Sequence, residues 1–451
     1  MMIPNRALEV RLLAETVRRA FAQVPYYRKR WRQAWTGIRR LDDLRRLPIL
    51  SKNHAIRHQR ALIADEFREV FAGVVSSGTQ RDGGLLRVPR GSPRPLPADD
   101  GAELLPQFPI ALAPGGATLG AGHVTEGLTL WLAGVSHNIA PRSDQQRLVV
   151  PHTYSRNFFE TALELLRKPQ RDGRRVRYLR TGTNALKTLT AYLAQAGHDP
   201  RAFGIVLIST HSNRLSPAWL RWIDERWGAP VLDSFSLSEI DVAANPCAAC
   251  AHYHWTGPLV TEYLDVMTRE PIDARTAAAA LVVTTVGPHA YPMPLIRYWT
   301  GDLVAVGPRC AAVGGRRGFR SRDRVSSAAV LPAPGEPVVL APYEAMEWLD
   351  GRSEVARHLQ PAEQLGIIEA SCAGLPKVEL EQRRGSLTLR FEVSYDPAMF
   401  AVQAGALEAD LRHHLVGRSK PLRRLLRAGE LAFEVRAVGV GGVRAGWNKW
   451  N

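Results

Sequence analysis

Apolar side chains recur at helical spacing at Leu13, Val17, Phe21 and Val24, which predicts an amphipathic helix from about Asn5 to Gln23. Val24-Pro25-Tyr26-Tyr27 closes that helix, and a second helical stretch from Leu41 stops at Leu47-Pro48. Residues 70–75 read as a buried strand that runs into Ser76-Ser77-Gly78-Thr79. Residues 86–106, rich in Pro, Gly and Arg, read as loop. Further on, short apolar runs alternate with helical patterns. Strands are expected at 148–150, 176–179, 205–209 and 231–234, with helices at 157–166, 184–196 and 217–227 between them. Such alternation predicts a parallel sheet with crossover helices. Strands at 281–285 and 303–306 follow. Past Val325 the pattern changes to strands at 387–393 and 432–438 around a helix at 403–415. The expected fold class is therefore α/β. A large N-terminal domain (1–322), with mixed or parallel sheets and crossover helices, precedes a small mobile α+β domain (323–451).

A chain of 451 residues exceeds one compact core, and 45% apolar with 23% charged residues argues against wholesale disorder. No apolar run reaches the ~20 residues of a membrane helix, and the N-terminus lacks the layout of a secretory signal, so no membrane partner and a cytoplasmic location are expected. The net charge of +16 brings nucleic acid into consideration. However, Arg is spread along the whole chain, and no nucleic-acid motif accompanies it. Solvated faces, with some attraction for a nucleotide or CoA, account for the charge.

Three segments carry candidate chemistry. Ser76-Ser77-Gly78-Thr79, followed by Gly83-Gly84, offers hydroxyls and open backbone N–H groups to phosphate oxygens. Asp233-Ser234-Phe235-Ser236-Leu237-Ser238-Glu239 lies at the end of a predicted parallel strand, where open α/β sheets place ligands. There Phe235 offers a ring to a base and Glu239 a carboxylate to Mg²⁺. Tyr298-Trp299-Thr300-Gly301-Asp302-Leu303 presents an Asp able to accept both hydroxyls of a ribose. Each segment alone is better explained by an ordinary turn or polar loop.

Their order, closed by Arg322-Asp323, resembles the signature series of the adenylate-forming superfamily. Val24-Pro25-Tyr26-Tyr27, Leu47-Pro48 followed by Lys52, Leu237-Ser238-Glu239-Ile240 and Pro294-Leu295-Ile296-Arg297-Tyr298 resemble its phenylacetate–CoA ligase branch. The resemblance implies roles. Thr79, with Ser76, Ser77 and Gly78, would grip ATP phosphates. Phe235 would flank adenine, Ser238 would belong to the same nucleotide motif, and Glu239 would ligate Mg²⁺. Asp302 would bind the ribose with help from Arg322, Asp323 would mark the hinge, and Lys449 would be the late catalytic lysine. It also implies ATP-dependent activation of a small carboxylic acid, aromatic by family default, as an acyl-adenylate. Transfer to CoA, a carrier-protein thiol or an amine would follow, and a homodimer is left open. The chain departs from the family at Gln80-Arg81-Asp82 in the phosphate loop, at Ser236, at Trp299 and at Thr210-His211-Ser212. These departures keep a non-catalytic adenylate-forming scaffold as a rival reading, with a basic nucleic-acid-binding protein behind it.

Cys247, Cys250 and His254 lie within eight residues, and Cys310 follows. A Cys-x-x-Cys pair in a reducing compartment reads as metal-binding or redox-active, and a Cys₃His set suits structural Zn²⁺. The family comparison favours zinc, with His252 the competing ligand and Cys372 plain core. His152 and Tyr154, after a strand, are further candidates to line an acyl pocket.

Overall fold

A computed structural model describes residues 6–31, 37–67, 73–75, 86–89, 109–113, 118–119, 127–133, 147–151, 155–240, 242–290, 292–333, 336–369 and 373–443. At its centre Val231–Asp233, Leu207–His211, Val176–Gly182, Leu128–Ala133 and Arg147–Pro151 pair side by side in that order, every neighbour parallel. The crossover helices are Arg156–Arg167, Thr183–Gln195 and Pro217–Trp227. The last shows how local chemistry sets their limits. Ser216 caps it by accepting from Trp219 N at 3.3 Å, Pro217 occupies the first turn, and Gly228 ends it in the left-handed region at φ 59°. Phe158, Phe159, Leu186, Leu189, Ile208 and Ile223 form the core between sheet and helices.

The second body is an eight-stranded sheet, largely antiparallel. Phe235–Ser236, Ala243–Pro246, Tyr253–Trp255, Arg316–Arg324, Tyr298–Cys310, Thr276–Thr285 and Leu259–Leu264 follow one another. Leu50–Ser51 adds in parallel onto Tyr298–Trp299. Leu13, Val17 and Ala20 of the first helix, Arg6–Gln23, join its core. The strands expected at 281–285 and 303–306 are parts of much longer ones. Pro25 opens a further short helix, Pro25–Arg30, and the stretch from Leu41 is a 3₁₀ helix, Leu41–Arg46. Residues 86–106 are not all loop, since Arg87–Pro89 pairs antiparallel with Gly73–Val75.

The third body packs the strands Val378–Arg383, Ser386–Glu392 and Ala432–Val438 against helices Ala401–Arg418, Lys420–Arg427 and Pro342–Leu349. The boundary expected at 322/323 falls inside the Arg316–Arg324 strand, where Leu303↔Asp323 and Asp302↔Arg324 still pair within the large sheet. Among the described residues, no helix is long and apolar enough to cross a membrane.

Candidate active site

The end of the Val231–Asp233 strand opens into a cleft of about 120 Å³ between the two sheets and the helix Pro342–Leu349, lined by Lys52, Phe235, Ser238, Glu239, Asp302 and Arg322 among others. Asp233 closes its floor by accepting from Thr210 Oγ1 at 3.0 Å and Leu215 N at 3.4 Å. Burial pushes its carboxyl up to about 6, against the pull of these bonds and of Arg214. Phe235 is gripped edge-on by Phe319 and Trp255, with centroids 5.1 and 5.9 Å away.

Glu239 is buried on the far wall. Its Oε1 lies 3.0 Å from Lys52 Nζ and accepts from Tyr298 OH at 3.1 Å. Burial alone would raise this carboxyl. The charge and hydrogen bond of Lys52, aided by Arg324, overrule it and hold Glu239 below the ordinary carboxylate value. For Tyr298, burial and the adjacent carboxylate act together and drive the phenol well up.

Asp302 stands after Gly301, whose φ of +80° a side chain would resist. Its Oδ1 accepts from Arg324 Nη1 at 2.6 Å, while its buried Oδ2 has no hydrogen-bond partner among the described residues. Arg324 also donates to Thr300 O at 3.0 Å, and Asp302 N donates to Thr300 Oγ1 at 3.0 Å. The Asp is therefore fixed with one acceptor unspent, which is what a sugar hydroxyl needs.

Arg322 lines the cleft, but its guanidinium is committed to Glu344 and to Ala277 O at 3.0 Å. The residue that reaches Asp302 is Arg324, two positions on and on the same face of the strand. Asp323 lines the cleft as well, on the side of Tyr343. It accepts from Ser327 Oγ at 2.7 Å and from Tyr343 N at 2.9 Å, at the start of the Pro342–Leu349 helix, where a carboxylate suits the helix dipole. Ser76, Ser77, Gly78, Thr79, His152, Tyr154, Cys372 and Lys449 lie outside the described residues.

The motifs flanking the site act as scaffold. Tyr27 donates to Pro294 O at 2.8 Å and accepts from Ile296 N at 3.1 Å. Arg297, buried at φ +50°, forks onto Glu262 at 2.9 and 3.0 Å and donates to the Leu47 and Arg45 carbonyls at 2.6 and 3.1 Å. This clamp sets Leu50 beside Tyr298. Ser51 then caps the helix Lys52–Arg57, accepting from His54 N, and Lys52 is delivered to Glu239.

A second cluster lies along the same sheet. The ligand atoms of Cys247, Cys250, His254 and Cys310 all fall within 4.8 Å of one another. Cys247 and Cys310 sulfurs are 4.0 Å apart, and Cys250 Sγ is 3.2 Å from His254 Nε2. All three cysteines are free. Burial raises the Cys250 thiol to about 12 and lowers His254 to about 4. A Cβ on Gly318 would come 2.7 Å from His254 Nε2, so this glycine keeps room for the imidazole. His252 is not in the set; its Nδ1 bonds to Cys250 O at 2.5 Å.

No family model matches the chain. It is 27% identical over 310 residues, 66% of its length, to the phenylacetate-coenzyme A ligase of Thermus thermophilus, and the match spans 65% of that relative. A 2-hydroxyisobutyryl-CoA ligase, solved in an open conformation with 2-HIB-AMP and CoA, superposes with a TM-score of 0.60 at 17% identity, covering 97% of this chain and 89% of that one. The GH3.15 acyl acid amido synthetase superposes with a TM-score of 0.51 at 12% identity, over 98% and 88%. The solved structures share the fold, and the curated relative supports the branch that the motifs resemble.

Proposed function

We propose that this chain is an adenylate-forming ligase that activates a small carboxylic acid with ATP and passes the acyl group to a thiol, CoA first among the acceptors. One observation carries the reading. Phe235, Glu239 and an Asp302 with an unspent buried acceptor face one cleft at the end of a parallel strand. Asp302 would take the ribose hydroxyls and Phe235 would flank the adenine. Glu239 is the carboxylate that would hold Mg²⁺, whose charge favours loss of pyrophosphate. The substrate carboxylate attacks the α-phosphorus, the α–β phosphoanhydride bond breaks and pyrophosphate leaves. The thiol sulfur, giving up its proton, then attacks the acyl carbon and AMP leaves. The protein's contribution is positioning and charge compensation. We assign Lys449 to the first step and the loop at Ser76–Thr79 to the phosphates, on the resemblance alone. An aromatic acid is the first candidate substrate.

The Cys247, Cys250, His254 and Cys310 set would hold structural Zn²⁺. Tetrahedral ligands at zinc distances stand roughly 3.3–3.8 Å apart, and the observed donors need only small shifts to comply.

ATP–pyrophosphate exchange across a panel of carboxylic acids tests the reading. Acid-dependent exchange supports it. The Lys52–Glu239 pair favours one alternative, a scaffold in which the metal-binding carboxylate is already neutralised, and absence of exchange with every acid would select it.

A further inference from the structure

The third body is joined to the rest by more than a hinge. Residues 355–358 and 374–377 form a paired root. His358 N donates to Leu375 O at 2.9 Å, and Arg357 bridges Pro376. A Cβ on Gly374 would overlap His358 O at 1.6 Å, so the root closes only with glycine there. The root is bolted to the third body's sheet through Ala356 N on Glu392 O at 2.9 Å and the Val355↔Val393 bridge. Between the two arms, the described residues 359–369 and 373 form a finger. Its described tip carries Ala362, Ile368 and Ala373, 0%, 3% and 0% exposed, and all three lie in the core of the parallel-sheet body. Glu369 N donates to Gln195 Oε1 at 2.9 Å, on a helix of that body.

A buried charge cluster secures the base of the finger. Asp350 accepts from Ser216 Oγ and from Trp219 Nε1 (3.2 Å), both of the parallel-sheet body, and from Arg357 Nη1 (2.5 Å) at the root. Arg357 also donates to Asp350 O at 2.6 Å and Gly374 O at 3.3 Å. Lys187 Nζ sits 4.3 Å from the Trp219 ring centroid. Apolar insertion and a desolvated hydrogen-bond cluster therefore hold the same two bodies together at two points.

We infer that the finger is a latch that fixes the orientation of the C-terminal body, and that this body reorients only when the tip leaves the parallel-sheet core. Turning about the segment after Arg324 with the tip seated would tear the root from Glu392 and Val393. The kinetic part of this inference rests on the proposed two-step reaction; the structural part does not.

Hydrogen–deuterium exchange on the whole chain tests the latch without any substrate. In Ile368→Ser, amides of 355–369 and 373–377 should exchange several-fold faster, while the Leu207–His211 and Ser386–Glu392 strands keep wild-type protection. Trp219→Phe, which loses the donor but keeps a ring under Lys187, should show the same pattern more weakly, and it serves if Ile368→Ser does not fold. Unchanged finger exchange in Trp219→Phe and in any folded Ile368→Ser protein would overturn the latch, as would loss of protection throughout. In the enzyme, the latch variants should keep ATP–pyrophosphate exchange within about twofold and speed acyl transfer from preformed adenylate several-fold. Equal loss of both half-reactions, or no change in transfer, would overturn the gating role. A wild-type chain without exchange activity would defeat the proposed function and leave the latch to be judged on deuterium uptake.

Discussion

Lys52 Nζ lies 3.0 Å from Glu239 Oε1, and the two side chains are only 3% and 8% exposed. Removing either partner strands a buried charge. Lys52→Met should cost about 3–5 kcal/mol in urea unfolding, and Lys52→Met/Glu239→Gln should recover most of it. The pH dependence follows from the depressed folded-state value of Glu239. The unfolded chain binds the proton more tightly, so the pair's stabilisation is complete above the unfolded carboxyl value of about 4.3. It is lost as pH falls through the lower folded value. The gap between wild type and Lys52→Met should therefore narrow in acid, and a gap independent of pH would remove the ionised pair from the account.

Glu239→Gln should still fold, at the stability cost of leaving Lys52 unpaired, yet lose nearly all ATP–pyrophosphate exchange, because an amide is a poor substitute for a hard anionic ligand. Wild-type exchange in this variant would exclude Glu239 from the metal site.

Arg324 holds Oδ1 of Asp302 at 2.6 Å. Arg324→Met should raise KM for ATP about tenfold, the effect of losing roughly one charge-assisted hydrogen bond at the ribose. Arg322→Gln should act through the Glu344 contact and leave KM for ATP within about twofold. The reverse ranking in steady-state kinetics would restore Arg322 as the ribose partner.

Protein purified without chelator should contain about one zinc per chain by elemental analysis, as a closed four-ligand site implies. Cys310→Ser should lower both zinc content and the melting temperature, since Cys310 ties the end of the Tyr298–Cys310 strand to the Cys247 loop. Metal-free wild-type protein would reject the assignment.

Arg297 serves four acceptor atoms from one planar group. Arg297→Lys should rescue little of the roughly 3–5 kcal/mol expected to be lost in Arg297→Met, because one ammonium cannot span the fork and both carbonyls. A lysine variant of wild-type stability would show that the clamp is not bidentate in solution.

Lys449→Ala should strongly slow adenylate formation and leave transfer from preformed adenylate near wild type. Parallel loss of both would indicate damage to the C-terminal body. No loss in either would turn the search to Arg444.

The parallel-sheet body was legible because its apolar runs alternate with helical periodicity and its helix ends carry ordinary signals, as Ser216, Pro217 and Gly228 do. The antiparallel sheet was harder. Thr276–Thr285 begins with an alanine run of weak strand preference and is buried on both faces, so it lacks two-residue alternation. The Cys₃His set could be read from spacing, whereas the choice between Arg322 and Arg324 could not. Both occupy the same face of one strand, and only the positions of Glu344 and Asp302 separate them. The finger left no clear signal, because Pro361 and Gly366 interrupt its apolar residues, Ala362, Leu365, Ile367 and Ile368 among them, before any period is established.

The pairing of Leu50 with Tyr298 also bears on synthesis. Residues 128–233 hold all five strands of the parallel sheet and can close it while the ribosome is still working. The strand Leu50–Ser51, just before Lys52, has no strand to pair with among the described residues until the chain passes position 298. At ribosomal rates that interval is on the order of tens of seconds. Throughout it, the strand edge at Leu50 stays unprotected. The nascent chain should therefore depend on holding chaperones early, and pausing between residues 240 and 300 should lower the yield of folded protein more than pausing after 330.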